Sequence, residues 1–228
     1  FVSECVLAEL IQESDTIYIH SDTLRILPDT IDDQKMIFAY HGVRIFNTQI
    51  QARCDSLSFI ETADLMTLYS SPIIWSENAE LKGDSMQIHL KDSLIDHIDI
   101  YDNASVIMEL DSGTFYNQIS GKDIIALMKK GKLVQTDVYG SATSIYFPED
   151  EEQTDSLLTI KRMGLNKLEA STLTVHLDSG EVTGITYRTQ PTGVFYPMDQ
   201  INIKDKWIKN FKWNPMLRPK DFSTLDND

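Results

Sequence analysis

Basic residues are scarce in this chain. Lys and Arg number 20 against 35 Asp and Glu, a formal net charge of −15. That balance repels a phosphate backbone over most of the surface, so nucleic acid is not an expected partner. Long apolar runs are also missing. Those present, such as Ile73-Ile74-Trp75, are strand-sized and fall far short of the ~20 residues of a membrane-spanning helix, so no transmembrane segment is expected. The sequence starts at Phe1 and shows no basic region followed by an apolar one, so any signal peptide is expected to lie outside it.

Only two cysteines occur, Cys5 and Cys54, and one pair in 228 residues says little about redox compartment. Both read as small buried residues with free thiols. If they occupy equivalent columns with a strand between them, their Cα atoms stand roughly 10 Å apart, beyond disulfide reach. There is no G-x-S-x-G, Walker-type glycine loop, H-E-x-x-H or C-x-x-C, so neither catalytic residues nor a cofactor are expected. The histidines, His20, His41, His89, His97 and His176, are scattered. His97 with Asp96 and Asp99 reads as a solvated acidic face rather than a metal site.

What the sequence does contain is a repeat. A small residue, a polar residue, Ser/Thr/Asp and then an aliphatic one recur as Ser21-Asp22-Thr23-Leu24, Cys54-Asp55-Ser56-Leu57, Gly83-Asp84-Ser85-Met86, Gly121-Lys122-Asp123-Ile124 and Ala170-Ser171-Thr172-Leu173. A tyrosine follows each: Tyr40, Tyr69, Tyr101, Tyr139 and Tyr187, at separations of 19, 15, 18, 18 and 17 residues. Between these landmarks lie polar turns such as Leu90-Lys91-Asp92-Ser93-Leu94, Lys129-Lys130-Gly131-Lys132 and Asp178-Ser179-Gly180-Glu181. Each unit therefore reads as strand, tight turn, strand. Residues 122–130 have some helical character, but the repeat register makes them a strand. The tyrosines read as packing residues at a strand kink, and Asp22, Asp55 and Asp84 as side chains bonded to their own backbone where a strand begins.

A lone hairpin cannot bury its apolar face, so the expected fold is all-β: stacked antiparallel hairpin repeats in an elongated solenoid, with the two strands of each unit on opposite walls. Residues 1–198 form this repeat domain, including a partial N-terminal copy around Cys5-Val6-Leu7-Ala8, and the native chain is expected to continue before Phe1. Residues 199–228, with Trp207, Ile208, Phe211 and Trp213 and helical spacing between Trp207 and Phe211, read as a short C-terminal cap over the solenoid end.

Spacing of two places Leu24, Ile26, Ile37, Ala39, Val43, Ile45, Leu57, Phe59, Leu68, Ile74, Met86, Ile88, Leu90, Ile98, Ile100, Val106, Met108, Ile124, Val138, Leu173, Val175 and Leu177 on the inward side of their strands. Such a lining forms a closed core, or, where the walls splay apart, a trough for acyl chains. In the trough each buried methylene contributes about 0.8 kcal/mol before association costs.

The stretch from Asp15 to Leu24, the units at Cys54 and Gly83, Ser120-Gly121-Lys122-Asp123 with Ser144-Ile145-Tyr146-Phe147, and the late Phe211-Lys212-Trp213 and Leu217-Arg218-Pro219 resemble the OstA-like proteins of Bacteroidetes. These are relatives of the periplasmic lipopolysaccharide-transport component LptA. The resemblance spans roughly Asp15 to Pro219. It implies a β-jellyroll, or β-taco, with no catalytic residues, stacking end to end with like domains into a periplasmic bridge whose groove carries the acyl chains of lipopolysaccharide (lipid A) outward. The extra length before Tyr187 and the aromatic tail depart from the family pattern and are expected to close one end of the groove. Two other readings are a polysaccharide-active β-helix, which the uneven repeats disfavour, and a structural or adhesion module with a sealed core.

Overall fold

The computed structural model describes residues 2–11, 16–28, 35–92, 94–154, 157–222 and 225. Its strands are β1 (Val2–Ile11), β2 (Thr16–Pro28), β3 (Lys35–Phe46), β4 (Gln51–Ile60), β5 (Leu65–Tyr69), β6 (Ile73–Ser76), β7 (Ala79–Lys82), β8 (Ser85–Lys91) and β9 (Leu94–Tyr101). They continue as β10 (Ala104–Leu110), β11 (Phe115–Gly121), β12 (Asp123–Lys129), β13 (Lys132–Tyr146), β14 (Glu149–Thr154), β15 (Leu157–Arg162), β16 (Gly164–Asp178), β17 (Glu181–Arg188) and β18 (Thr192–Pro197). All pairings are antiparallel and no α-helix occurs among the described residues, so the fold is the expected all-β stack, with residues 123–129 a strand.

Hydrogen-bonded neighbours divide this sheet into two walls. The first holds the later half of β2, the first half of β3, the later half of β4, then β5, β8, β9, β12, the start of β13, the end of β16, and β17. The remaining halves of those long strands join β6, β7, β10, β11 and β18 in the second. The tyrosine-marked hairpins therefore lie within one wall, which corrects the expectation that each unit spans both. A two-residue turn such as Lys130-Gly131 joins strands ~4.8 Å apart, not sheets ~10 Å apart. The chain changes wall at the other end of the hairpin, just past each tyrosine.

That crossing explains the repeat. After Tyr69, Tyr101 and Tyr139 come two left-handed residues, Ser70-Ser71, Asp102-Asn103 and Gly140-Ser141, which turn the chain onto the second wall. On the returning strand, the Asp84 N–H is shared by the carbonyls of Tyr101 and Asp102, both at 3.0 Å. The Lys122 N–H is likewise shared by those of Tyr139 and Gly140, both at 2.9 Å. This approach leaves no room beside the preceding residue. A Cβ on Gly83 would lie 2.4 Å from Ile100 Cγ2, and one on Gly121 would lie 2.5 Å from Val138 Cγ1 and 2.9 Å from the Tyr139 carbonyl. The small residue of the repeat is thus set by the corner.

Four of the five tyrosines are not core packing residues. Tyr40, Tyr69, Tyr101 and Tyr139 stand opposite Thr23, Ser56, Ser85 and Asp123 on the outer face, exposed by 38%, 43%, 36% and 44%. Tyr187 sits one residue early in its hairpin and pairs with Leu173 instead of Thr172, so the pleat turns it inward. Its hydroxyl meets Ser144 Oγ of the second wall at 2.8 Å. The aspartates also depart from expectation. Asp84 Oδ2 accepts from Asn103 Nδ2 at 2.9 Å and Asp55 meets His41 Nδ1 at 3.1 Å, so both tie neighbouring corners together instead of bonding their own backbone.

Beyond Pro197 the chain has no helix among its described residues, only 3-10 turns at Met198–Gln200, Ile203–Asp205 and Pro215–Leu217. It lies across the outer face of the second wall, whereas the sequence reading places it over the solenoid end. Ile208 packs with Ile107, Ile145, Phe147 and Leu165 in a second apolar cluster, and the rings of Trp207, Phe211 and Trp213 surround Tyr116. Gln118 binds the Lys206 carbonyl at 2.7 Å and the Ile208 N–H at 3.0 Å. Glu80, fully buried, accepts from the Asn214 N–H and Nδ2, both at 2.8 Å, and from Trp75 Nε1 at 3.0 Å, with Lys82 beside it at 2.6 Å. Further on, Arg218 reaches Gln51, Phe222 stacks on Tyr18, and the Leu225 carbonyl accepts from Arg44.

Gly121→Val forces a branched side chain into the corner and is expected to cost about 1–3 kcal/mol, read as a lower urea midpoint at unchanged m-value. Gly184→Ala, whose Cβ would meet nothing within 4 Å, is neutral or stabilising in the same assay.

Candidate functional site

The inward faces of the two walls meet in one apolar cluster that runs from Ile17 on β2 to Val182 and Ile185 on β17. All the residues expected from strand parity are brought together in it. Leu24, Ile37, Ala39, Val43, Ile45, Leu57, Phe59, Leu68, Ile74, Met86, Ile88, Ile98, Ile100, Val106, Met108, Ile124, Val138, Leu173, Val175 and Leu177 are buried, and Ile26 and Leu90 pack against them half-buried. Parity alone did not single out Ile19, Ala52, Met66, Leu81, Ile119, Met128, Leu133 or Ala142, which complete the same faces. The buried charged side chains Arg44 and Glu80 point the other way, beneath the C-terminal segment.

Side chains of both walls pack this interior. Towards the β17 end a cavity of about 20 Å³ remains between Val106, Met108, Ile119, Leu133, Thr136, Val175, Leu177, Val182 and Ile185. That is room for one water and too little for an acyl chain. The buried Thr136 hydroxyl lines the cavity without a hydrogen-bond partner among the described residues.

The two long sides of this interior differ in construction. One is a spine of covalent corners. The other is a mouth between two rows of turns, residues 61–64, 91–92, 129–132 and 178–181 on the first wall and 47–50, 76–79 and 111–114 on the second. At the mouth, Lys132 Nζ lies 3.1 Å from Glu77 Oε1, Ser76 Oγ is 3.5 Å from the Gly131 carbonyl, and Gln49 lies over Gly131, where a Cβ would stand 2.7 Å from Gln49 Cδ. Lys132 and Glu77 are 54% and 42% exposed, and such a pair is worth ~1 kcal/mol or less. The mouth is therefore held by weak contacts where the spine is held by backbone.

Cys54 occupies the small-residue position of a corner, buried and free; the Cys5 side chain lies outside the described residues. Burial pushes the Cys54 thiol up to about 12, with the nearby Asp55 charge adding to the effect and a backbone hydrogen bond at Tyr69 opposing it. At pH 8 such a thiol stays protonated, with roughly 10³-fold less thiolate than an ordinary cysteine. In a Cys5→Ser background, alkylation by iodoacetamide at pH 8 is expected to run at least a hundredfold slower in the native chain than in urea; equal rates would show the corner open.

No protein-family model matches the sequence, and no curated protein matches it. Among solved structures, the chain is similar to the crystal structure of LptH, the LptA-homologous periplasmic component of the conserved lipopolysaccharide transport device from Pseudomonas aeruginosa. The TM-score is 0.48 at 10% identity, with 65% of this chain and 95% of that chain covered.

Proposed function

We propose that this chain is a non-catalytic periplasmic module that shields the acyl chains of lipopolysaccharide between its two walls on the way to the outer membrane. The observation that carries the reading is an apolar interior running the length of the sheet and bounded on one side by a weakly held mouth. Acyl chains need no directional contacts, and at about 0.8 kcal/mol per buried methylene a few of them repay separation of the turns at the mouth. The residues proposed to line the groove are the parity set from Leu24 to Leu177. Lipopolysaccharide as cargo, and end-to-end contact with like domains as assembly, follow from the resemblance of the repeat units to OstA-like proteins. No helix among the described residues is long and apolar enough to cross a membrane.

A second reading, a structural or adhesion module with a sealed core, is favoured by the small volume of the cavity. Lipid uptake separates the two. After delipidation and re-addition of lipid A, native mass spectrometry is expected to show a stoichiometric complex, and a photo-crosslinker at buried Ile100 labels the lipid where one at exposed Asn103 does not. In a Cys5→Ser chain carrying Glu77→Cys and Lys132→Cys, a short bismaleimide bridge across the mouth abolishes uptake that the unbridged variant retains. Absence of uptake by the parent chain favours the sealed core, and uptake that survives bridging rules out the mouth as the way in.

A further inference from the structure

His89 on β8 and His97 on β9 are direct cross-strand partners, and Asp99 follows His97 by two residues, so all three side chains leave the same outer face of the first wall. The two imidazoles are stacked, with centroids 4.1 Å apart and planes inclined by 10°. Asp99 Oδ2 lies 3.0 Å from His89 Nε2 and 4.0 Å from His97 Nε2. One ligand atom from each residue falls within 4.8 Å of the others. A four-coordinate zinc ion with bonds of about 2.0–2.1 Å sets its ligand atoms roughly 3.3 Å apart, inside the range these side chains already span.

The surroundings of the triad favour a ligand role. His97 Nδ1 lies 2.8 Å from Asp96 Oδ2. A ring that donates from Nδ1 to a carboxylate presents its lone pair at Nε2, the nitrogen that faces Asp99 and His89, and this is how metal-bound imidazoles are commonly oriented. Asp99 is steadied in turn by the Tyr101 hydroxyl at 3.3 Å, which also reaches Gln87 at 3.1 Å. In register on either side of the histidine pair stand Leu65 of β5 and Leu127 of β12, so the site is fenced by aliphatic side chains and open only outward. The side chains of His89, His97 and Asp99 are 32%, 28% and 17% exposed, accessible to an ion without being loose on the surface.

We propose that His89, His97 and Asp99 form a binding site for a divalent transition ion of the zinc class, with Asp96 positioning His97. Two imidazoles and one carboxylate select such an ion over magnesium or calcium, which prefer shells of oxygen. Binding replaces the His89–Asp99 hydrogen bond with two metal–ligand bonds, while the ring proton of His89 moves to Nδ1. The remaining coordination position faces solvent and takes water. The ion clamps β8 to β9 from outside, and the assignment is independent of what the interior carries.

The test is titration of the whole chain with Zn²⁺ by isothermal calorimetry, with circular dichroism to confirm that each variant is folded. One ion per chain is expected. Affinity should fall at least tenfold in His89→Gln and in His97→Gln, by roughly 10–100-fold in Asp96→Asn, and not at all in His41→Gln. In the unmodified chain, Co²⁺ should give the visible absorption bands of a four-coordinate nitrogen–oxygen site, lost on adding Zn²⁺. No uptake by the unmodified chain, stoichiometric binding that survives His89→Gln with His97→Gln, equal affinity for Mg²⁺, or Co²⁺ bands absent from the unmodified chain would each overturn the assignment.

Discussion

At the Gly83 and Gly121 corners of the spine the chain comes so close to its neighbour that the next backbone N–H reaches two carbonyls at once, and a Cβ on the glycine has nowhere to go. That contact lets a strand pass from one sheet to the other without losing register. Because the crossings at Gly83 and Gly121 are alike, successive hairpins are laid down parallel to one another and their inward faces merge. The common apolar interior follows from the corners. Hydrophobic burial drives the stacking, but the corner geometry decides that the buried surface is one long seam and not several small cores.

The repeat was legible in the sequence because corner geometry restricts residue type. Only a small residue fits beside Ile100 or Val138, and two consecutive left-handed residues favour Gly, Asn, Asp and Ser. The inward residues were legible because a pleated strand alternates. Which wall a strand joins was not, since alternation reports a face and carries no information about the partner sheet. The second apolar cluster was hidden for a related reason. Ile107 and Ile145 have the parity opposite to the interior, and Val106-Ile107-Met108 reads as one buried run, as expected of a strand covered on both faces.

The histidine pair illustrates another limit. Counting outward from the turn at Lys91 and Leu94 pairs His89 with Asp96, but a register shift beyond Leu90 inserts one extra residue and brings His97 opposite instead. A bulge of this kind has no strong local signature, so a scattered pair of histidines became adjacent only with the register in hand. Tyr187 is the complementary case. Its separation of 17 residues, against 18 in the two units before it, was visible from the start. Its meaning, an inward-facing ring bonded to the opposite wall, depended on the pleat.

The chain beyond Pro197 touches β11 through Gln118 and Tyr116, β10 through Ile107, β7 through Glu80, β4 through Gln51 and β2 through Tyr18. Strapped from behind in this way, the second sheet behaves as a splinted board, and flexing it would mean peeling the strap from Glu80 and the aromatic rings around Tyr116. Among the described residues the first sheet carries no such backing. Any hinging of the molecule about its row of corners therefore belongs to the unsplinted leaf, which swings while the other stays put.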